Sequence, residues 1–118
     1  MRNRTFSSWT LALVATGAIL VFLGAPSPAA ALDGKAIFIA TKCNLCHTVS
    51  SAAIAKTSEK MKAPDLTGKV TAADEPKLAK FVRKLEPNKD GKKHGKEFKG
   101  TDEELQAILD WLATQKAK

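Results

Sequence analysis

The chain has 118 residues, 26% of them charged, and a formal net charge of +7 from 19 basic and 12 acidic side chains. That length accommodates one domain with a small core rather than several. The basic excess is almost all lysine, with no arginine cluster and no interleaved exposed aromatics. This argues against nucleic-acid readout and fits either electrostatic steering toward an acidic protein partner or simple solvation of a small domain.

Met1 to Ala31 has the pattern of a secretory signal. Arg2 and Arg4 form its charged end, Leu11 to Gly24 its uncharged core, and Pro26 and Pro28 break that core. Ala29-Ala30-Ala31 supplies small residues for cleavage between Ala31 and Leu32. The apolar run of 14 residues is shorter than the ~20 a membrane-spanning helix needs, so an uncleaved anchor is the secondary reading. The expected division is a signal peptide at 1–31 and one domain at 32–118, with no membrane span in the mature chain. Removing 1–31 leaves 87 residues with 17 basic against 12 acidic side chains, a net charge of +5.

The first predicted helix runs from Asp33 or Gly34 to Lys42, with Asp33 as N-cap and Ile37 and Phe38 facing inward. It leads into Cys43-Asn44-Leu45-Cys46-His47, a C-x-x-C-H run. Cys43 and Cys46 are three residues apart and share a face of one helical turn. Their sulfurs can therefore add to the two vinyl groups of one porphyrin, and the adjacent His47 can then bind the iron as the proximal ligand. The expected cofactor is one covalently attached haem c. Thioredoxin-like dithiol chemistry, a disulfide between the two cysteines and half of a zinc site are the alternatives. A zinc site is short of donors, because the chain has no third cysteine and its only other histidine is His94. Haem attachment in bacteria takes place outside the cytoplasm, so motif and export signal together point to a periplasmic protein.

Thr48 to Lys62 is small and polar and is read as a loop with an irregular helical turn. A second helix is predicted from Glu75 to Glu86, with Asp74 as N-cap and Pro76 in the first turn, where a missing N–H is harmless. Leu78, Phe81, Val82 and Leu85 form its apolar stripe, and Pro87 ends it. Asn88 to Gly100, rich in Lys and Gly, is a connecting loop. Thr101-Asp102-Glu103-Glu104 is a capping box that starts a third helix, whose inward residues are Leu105, Ile108, Leu109 and Leu112, with Trp111 beside them. The fold class is all-α: three main helices and loops around one haem.

With a C-x-x-C-H turn after a short helix and a capped helix near the C-terminus, Asp33 to Gln115 resembles the small class I, monohaem c-type cytochromes. The resemblance implies that the first and last helices cross with an aromatic contact, for which Phe38 and Trp111 are the matching residues. Ala63-Pro64-Asp65-Leu66-Thr67-Gly68 resembles the family's proximal Gly-Pro-x-Leu-x-Gly segment, with Ala63 in place of the first Gly. It implies that the Pro64 carbonyl accepts a hydrogen bond from the free ring N–H of His47, which would fix the imidazole tautomer.

The family's distal ligand is usually a methionine in the loop before the last helix. Here Asp90 to Gly100 contains no methionine, and His94 stands in that place. An electron carrier needs a second strong donor on its iron, and the expected sixth ligand is His94. Met61 is the alternative donor, otherwise a residue packing against the haem, and an open or water-filled site is the third option. A second imidazole stabilises ferric iron better than a thioether does, so a bis-histidine haem implies a low potential. Leu66, Leu78, Phe81, Val82, Leu85 and Phe98 are candidates for the apolar wall of the haem pocket.

The function this implies is periplasmic one-electron transfer by a monomer. Its partners would be acidic redox proteins steered by Lys42, Lys92, Lys93, Lys96 and Lys99, and it would have no substrate chemistry of its own. A haem enzyme or gas sensor with an open or displaceable distal site is the competing reading.

Overall fold

A computed structural model describes residues 31–118. The signal-peptide pattern, apart from Ala31, lies outside the described residues. Within them the chain is helical. The helices are α1 (Gly34–Ala40), α2 (Glu75–Val82) and α3 (Asp102–Thr114), with 3₁₀ turns at Cys43–Leu45, Ser50–Ala52 and Ala72–Asp74. No described helix is long and apolar enough to cross a membrane.

Helix α1 starts as expected, with the Asp33 carboxylate accepting from the Ala36 N–H at 3.1 Å. It ends two residues early, because the Thr41 N–H and hydroxyl both turn back to the Ile37 carbonyl, at 2.8 and 2.7 Å. Lys42 then takes a left-handed conformation (φ 60°) that turns the chain out of the helix and into the C-x-x-C-H run.

Helix α3 has the predicted capping box. The Thr101 hydroxyl accepts from the Glu104 N–H at 3.1 Å, and the Glu104 carboxylate accepts from the Thr101 N–H at 2.9 Å. These bonds satisfy two donors that a bare helix start would leave unpaired. Leu105, Ile108, Leu109 and Leu112 are all buried, as their i, i+3, i+4, i+7 spacing requires.

α1 and α3 cross, with the Phe38 and Trp111 rings 5.4 Å apart and inclined at 55°. Gly34 makes the crossing possible. A methyl group built at Gly34 would lie 2.0 Å from the Ala107 carbonyl oxygen.

Helix α2 starts at Glu75 with Asp74 at the N-cap position and Pro76 in the first turn, as expected, but differs in the role of Asp74 and in where it ends. Asp74 makes no side-chain cap; it belongs to a 3₁₀ turn and accepts instead from the Thr71 hydroxyl. At the other end the helix stops at Val82, five residues before Pro87. The Lys84 N–H bonds to the Phe81 carbonyl and the Leu85 N–H to the Lys80 carbonyl, with Lys84 left-handed at φ 58°. This is a Schellman termination with lysine where glycine is usual. It removes Leu85 from the apolar stripe and leaves it 69% exposed, so Leu85 is not part of an inward wall. Glu75, at the start of α2, is buried and accepts a hydrogen bond from the Gln106 amide on α3.

The loop after the C-x-x-C-H run is more ordered than its composition implies. Val49 and Ile54, both buried, form a single antiparallel bridge. They join Phe38, Val70, Phe98 and the inward face of α3 in one core, with Leu66, Leu78 and Val82 packed against it.

Candidate functional site

Cys43 opens a 3₁₀ turn, and its carbonyl accepts from the N–H groups of Cys46 (3.2 Å) and His47 (3.0 Å). The next loop folds back onto this turn, with the Thr57 N–H bonding to the Asn44 carbonyl and the Ser58 N–H to the Leu45 carbonyl. Both cysteines are half-buried and free, so no disulfide joins them. Burial pushes the Cys43 thiol up, against the opposing effects of the Thr41 hydroxyl and the nearby Lys96 ammonium. A dithiol oxidoreductase needs the reverse, a thiolate stabilised near neutral pH. Among the described residues no group of three or more His, Cys, Asp or Glu side chains could hold a metal ion, so the zinc reading lacks its remaining donors.

His47 is half-buried, and its Nδ1–H donates to the Pro64 carbonyl at 3.0 Å. That bond assigns the proton to Nδ1 and leaves the Nε2 lone pair free as a donor atom. Burial lowers the His47 pKa, and the neighbouring His94 lowers it further, while the Pro64 carbonyl opposes them. Lowering the pKa favours the neutral imidazole, the form that binds metals.

The segment after Pro64 is anchored by Asp65, whose carboxylate accepts from the N–H groups of Thr67 (2.9 Å) and Ser50 (3.3 Å). Hydrogen bonds from Ser50 and Thr67 hold this carboxyl down at about 2. The Leu66 N–H bonds to the Thr48 carbonyl at 2.9 Å, tying the same segment to the residue after His47.

On the other side stands His94. Its ring is nearly parallel to that of His47, with centroids 6.1 Å apart and planes inclined by 13°. Its Nδ1–H donates to the Lys96 carbonyl, so here too Nε2 is the free ring nitrogen. The Phe81 ring meets the His94 ring edge-on, at 5.2 Å and 80°. A separation of 6.1 Å is too wide for stacked rings in contact. Two imidazoles binding one ion from opposite sides through bonds of ~2 Å have centroids about 6 Å apart.

The fold thus brings Cys43, His47, Pro64 and His94 to one place, although 47 and 94 are distant in sequence. Met61 is not drawn in by any hydrogen bond to either histidine among the described residues. Its side chain is on the surface, 41% exposed, and its carbonyl accepts from the Lys56 ammonium. Of the residues expected to wall the pocket, Phe81 touches His94, while Phe98 lies in the core. Two contributors were not foreseen in the sequence: Arg83, which holds the downstream end of the His94 loop, and Asn88, which closes its upstream end. The only signal for Arg83 was its being the sole arginine after residue 31. The signal for Asn88 was its place three residues before Gly91, a common turn pattern.

No match was found among curated proteins, and none among solved structures. A family model described as Cytochrome c matches residues 31–116 and so takes in both histidines and both cysteines. Cytochromes c bind haem c covalently and use its iron to carry electrons. The chain belongs to the cytochrome c family.

Proposed function

We propose that this protein is a periplasmic, monohaem electron carrier whose iron is held between His47 and His94, with Cys43 and Cys46 as the covalent attachments. The observation that carries the reading is the pair of parallel imidazoles 6.1 Å apart, each with Nδ1 bonded to a backbone carbonyl. The family's haem c would supply a reversible one-electron couple at this place. The chain's own residues supply two thiols, two ring nitrogens that carry no hydrogen bond to a carbonyl and the Pro64 carbonyl that orients His47. A second imidazole in place of a thioether lowers the potential. The export pattern of residues 1–31 supports removal of that segment, leaving 32–118 as a monomeric mature domain.

The test is an optical and electron-resonance spectrum of the purified holoprotein and of its His94→Ala variant. The parent is expected to give low-spin bis-imidazole signals, which become high-spin when His94 is removed. A near-infrared methionine-to-iron band in the parent would transfer the sixth ligand to Met61, and a high-spin parent would favour an open, ligand-binding site.

Acidic redox proteins are the partners this surface fits. Lys42, Lys92, Lys93, Lys96 and Lys99 are all exposed, and Lys96 is close enough to Cys43 to affect its thiol. The association rate with an acidic partner should fall several-fold as ionic strength rises from about 0.01 to 0.15 M, because the screening length shrinks from ~30 to ~8 Å. A rate indifferent to salt would remove this role from the lysines.

A further inference from the structure

The loop that carries His94 is held at both ends, and the two anchors differ. Upstream, the Asn88 side-chain oxygen accepts from the N–H groups of Asp90 (3.0 Å) and Lys92 (2.8 Å), and the Asn88 N–H bonds to the Lys92 carbonyl. These contacts shape a tight turn, but they lie within the loop and attach it to nothing else.

Downstream, the attachment is to the rest of the fold: the Phe98 side chain is buried in the core, and Arg83 makes most of the hydrogen bonds there. Its guanidinium donates to the Gly100 carbonyl at 3.0 Å and the Asp102 carboxylate at 2.8 Å, and reaches the Phe98 carbonyl at 3.5 Å. It also lies over the Phe98 ring, 5.4 Å from the centroid. The Phe98 N–H in turn donates to the Val82 carbonyl at 2.9 Å.

These contacts are unequal. Asp102 is 92% exposed, against 23% for the Arg83 side chain, so the ion pair is screened and contributes little. The carbonyl bonds and the ring contact use the planar fork of the guanidinium, which lysine cannot reproduce. They fix residues 98–100 against the end of α2. The same turn of α2 supplies Phe81, whose ring lies against His94. One turn of helix therefore touches the distal loop through Phe81, the Val82 carbonyl and Arg83.

We propose that Arg83 is a positioning residue for the sixth ligand. By clamping Phe98 to Gly100 onto the end of α2, it holds His94 opposite His47 and sets how often His94 leaves that place. Arg83 touches neither histidine ring; it acts through the loop. The proposal rests on the reading that His94 faces His47 across the iron.

The experiment uses the holoprotein and free imidazole as a competing ligand. Imidazole can bind only when His94 has moved away, so its apparent affinity is the intrinsic affinity scaled by the fraction of molecules with the loop open. Arg83→Gln is expected to tighten apparent imidazole binding about tenfold by raising that small fraction. Arg83→Lys, which keeps the charge and loses the fork, should fall between parent and Arg83→Gln, and it carries the test if Arg83→Gln does not fold. Ile108→Val, a core truncation on α3, serves as the control for general destabilisation and should lower Tm while leaving imidazole affinity within twofold of the parent.

Unchanged imidazole affinity in the Arg83 variants would overturn the proposal. So would an increase in Ile108→Val that matches theirs at equal loss of Tm, since Arg83 would then act only through overall stability. The His94→Ala spectrum separates this from failure of the underlying reading. If His94→Ala leaves the parent spectrum unchanged, the ligand assignment is wrong and the proposal falls with it. If His94→Ala turns high-spin while the Arg83 variants bind imidazole like the parent, only the proposal fails.

Discussion

Replacing Gly34 by alanine is expected to lower the stability of the holoprotein by about 3 kcal/mol, at the upper end of what overpacking costs. In a domain of this size that corresponds to a fall in Tm of roughly 12–24 °C. The reason is geometric. The added methyl would lie 2.0 Å from the Ala107 carbonyl oxygen and 2.7 Å from both the Ala107 carbonyl carbon and the Trp111 Cβ. Two of these are backbone atoms of α3 and cannot rotate away, so the helices would have to separate. Separation would also loosen the Phe38–Trp111 contact, and Phe38 is among the most buried side chains in the core. Alanine otherwise favours a helix over glycine by ~1 kcal/mol, so a purely local view predicts stabilisation. Thermal unfolding followed by circular dichroism decides between the two, and an unchanged or raised Tm would mean that α1 and α3 do not meet at Gly34.

His94→Met is expected to raise the midpoint potential by on the order of 100 mV, a fraction of the ~0.8 V over which axial ligands set haem potentials. A thioether stabilises ferrous iron relative to imidazole. The loop can present it, because residue 94 is only half-buried and is followed by Gly95, around which there is open space. The substitution removes the bond to the Lys96 carbonyl, which lies on an exposed residue and can turn to water. The variant is also expected to show a near-infrared methionine-to-iron band. Potentiometric titration of both proteins measures the shift. A potential that does not move would place the sixth ligand elsewhere and would leave His94 as a surface residue packed on Phe81.

Both predictions depend on residues that the sequence presents very differently. His94 could be singled out in the sequence, because it stands where a resembling family places a methionine and because the haem motif asks for a second donor. What could not be read there is the relation of its ring to that of His47, which depends on two backbone carbonyls, Pro64 and Lys96, each holding an Nδ1–H. Pro64 was legible by resemblance. Lys96 was not, since a carbonyl two residues along carries no side-chain signature.

Among the helices, α3 was legible almost to the residue. Its capping box and apolar stripe are local patterns, and local patterns determine local structure when tertiary contacts agree with them. Helix α2 starts where its sequence indicates, at Glu75, but its capping and its end follow tertiary contacts instead of local pattern. Asp74 is a good cap by type, but its carboxylate is taken by the Thr71 hydroxyl. Pro87 is a good stop by type, but the chain has already turned at Lys84, in a left-handed conformation that sequence preference disfavours for lysine. The packing of Phe98 and Arg83 onto that end offers a tertiary reason for the early stop. Val49 and Ile54 carry no signal in the sequence, because two isolated apolar residues in a polar loop have no periodicity.

What the sequence by itself determined was the chemistry. The C-x-x-C-H run, the capped helices and the available donors are properties of residue type and spacing, and each acts within a few residues of chain. What only the tertiary structure decided was the arrangement: the crossing at Gly34, the nearly parallel imidazoles of His47 and His94 with centroids 6.1 Å apart, and the clamp by which Arg83 holds the distal loop. Those depend on groups separated by up to 77 residues, as Gly34 and Trp111 are. Contacts over such separations leave no local pattern, because they form only when packing of the core has brought distant segments together.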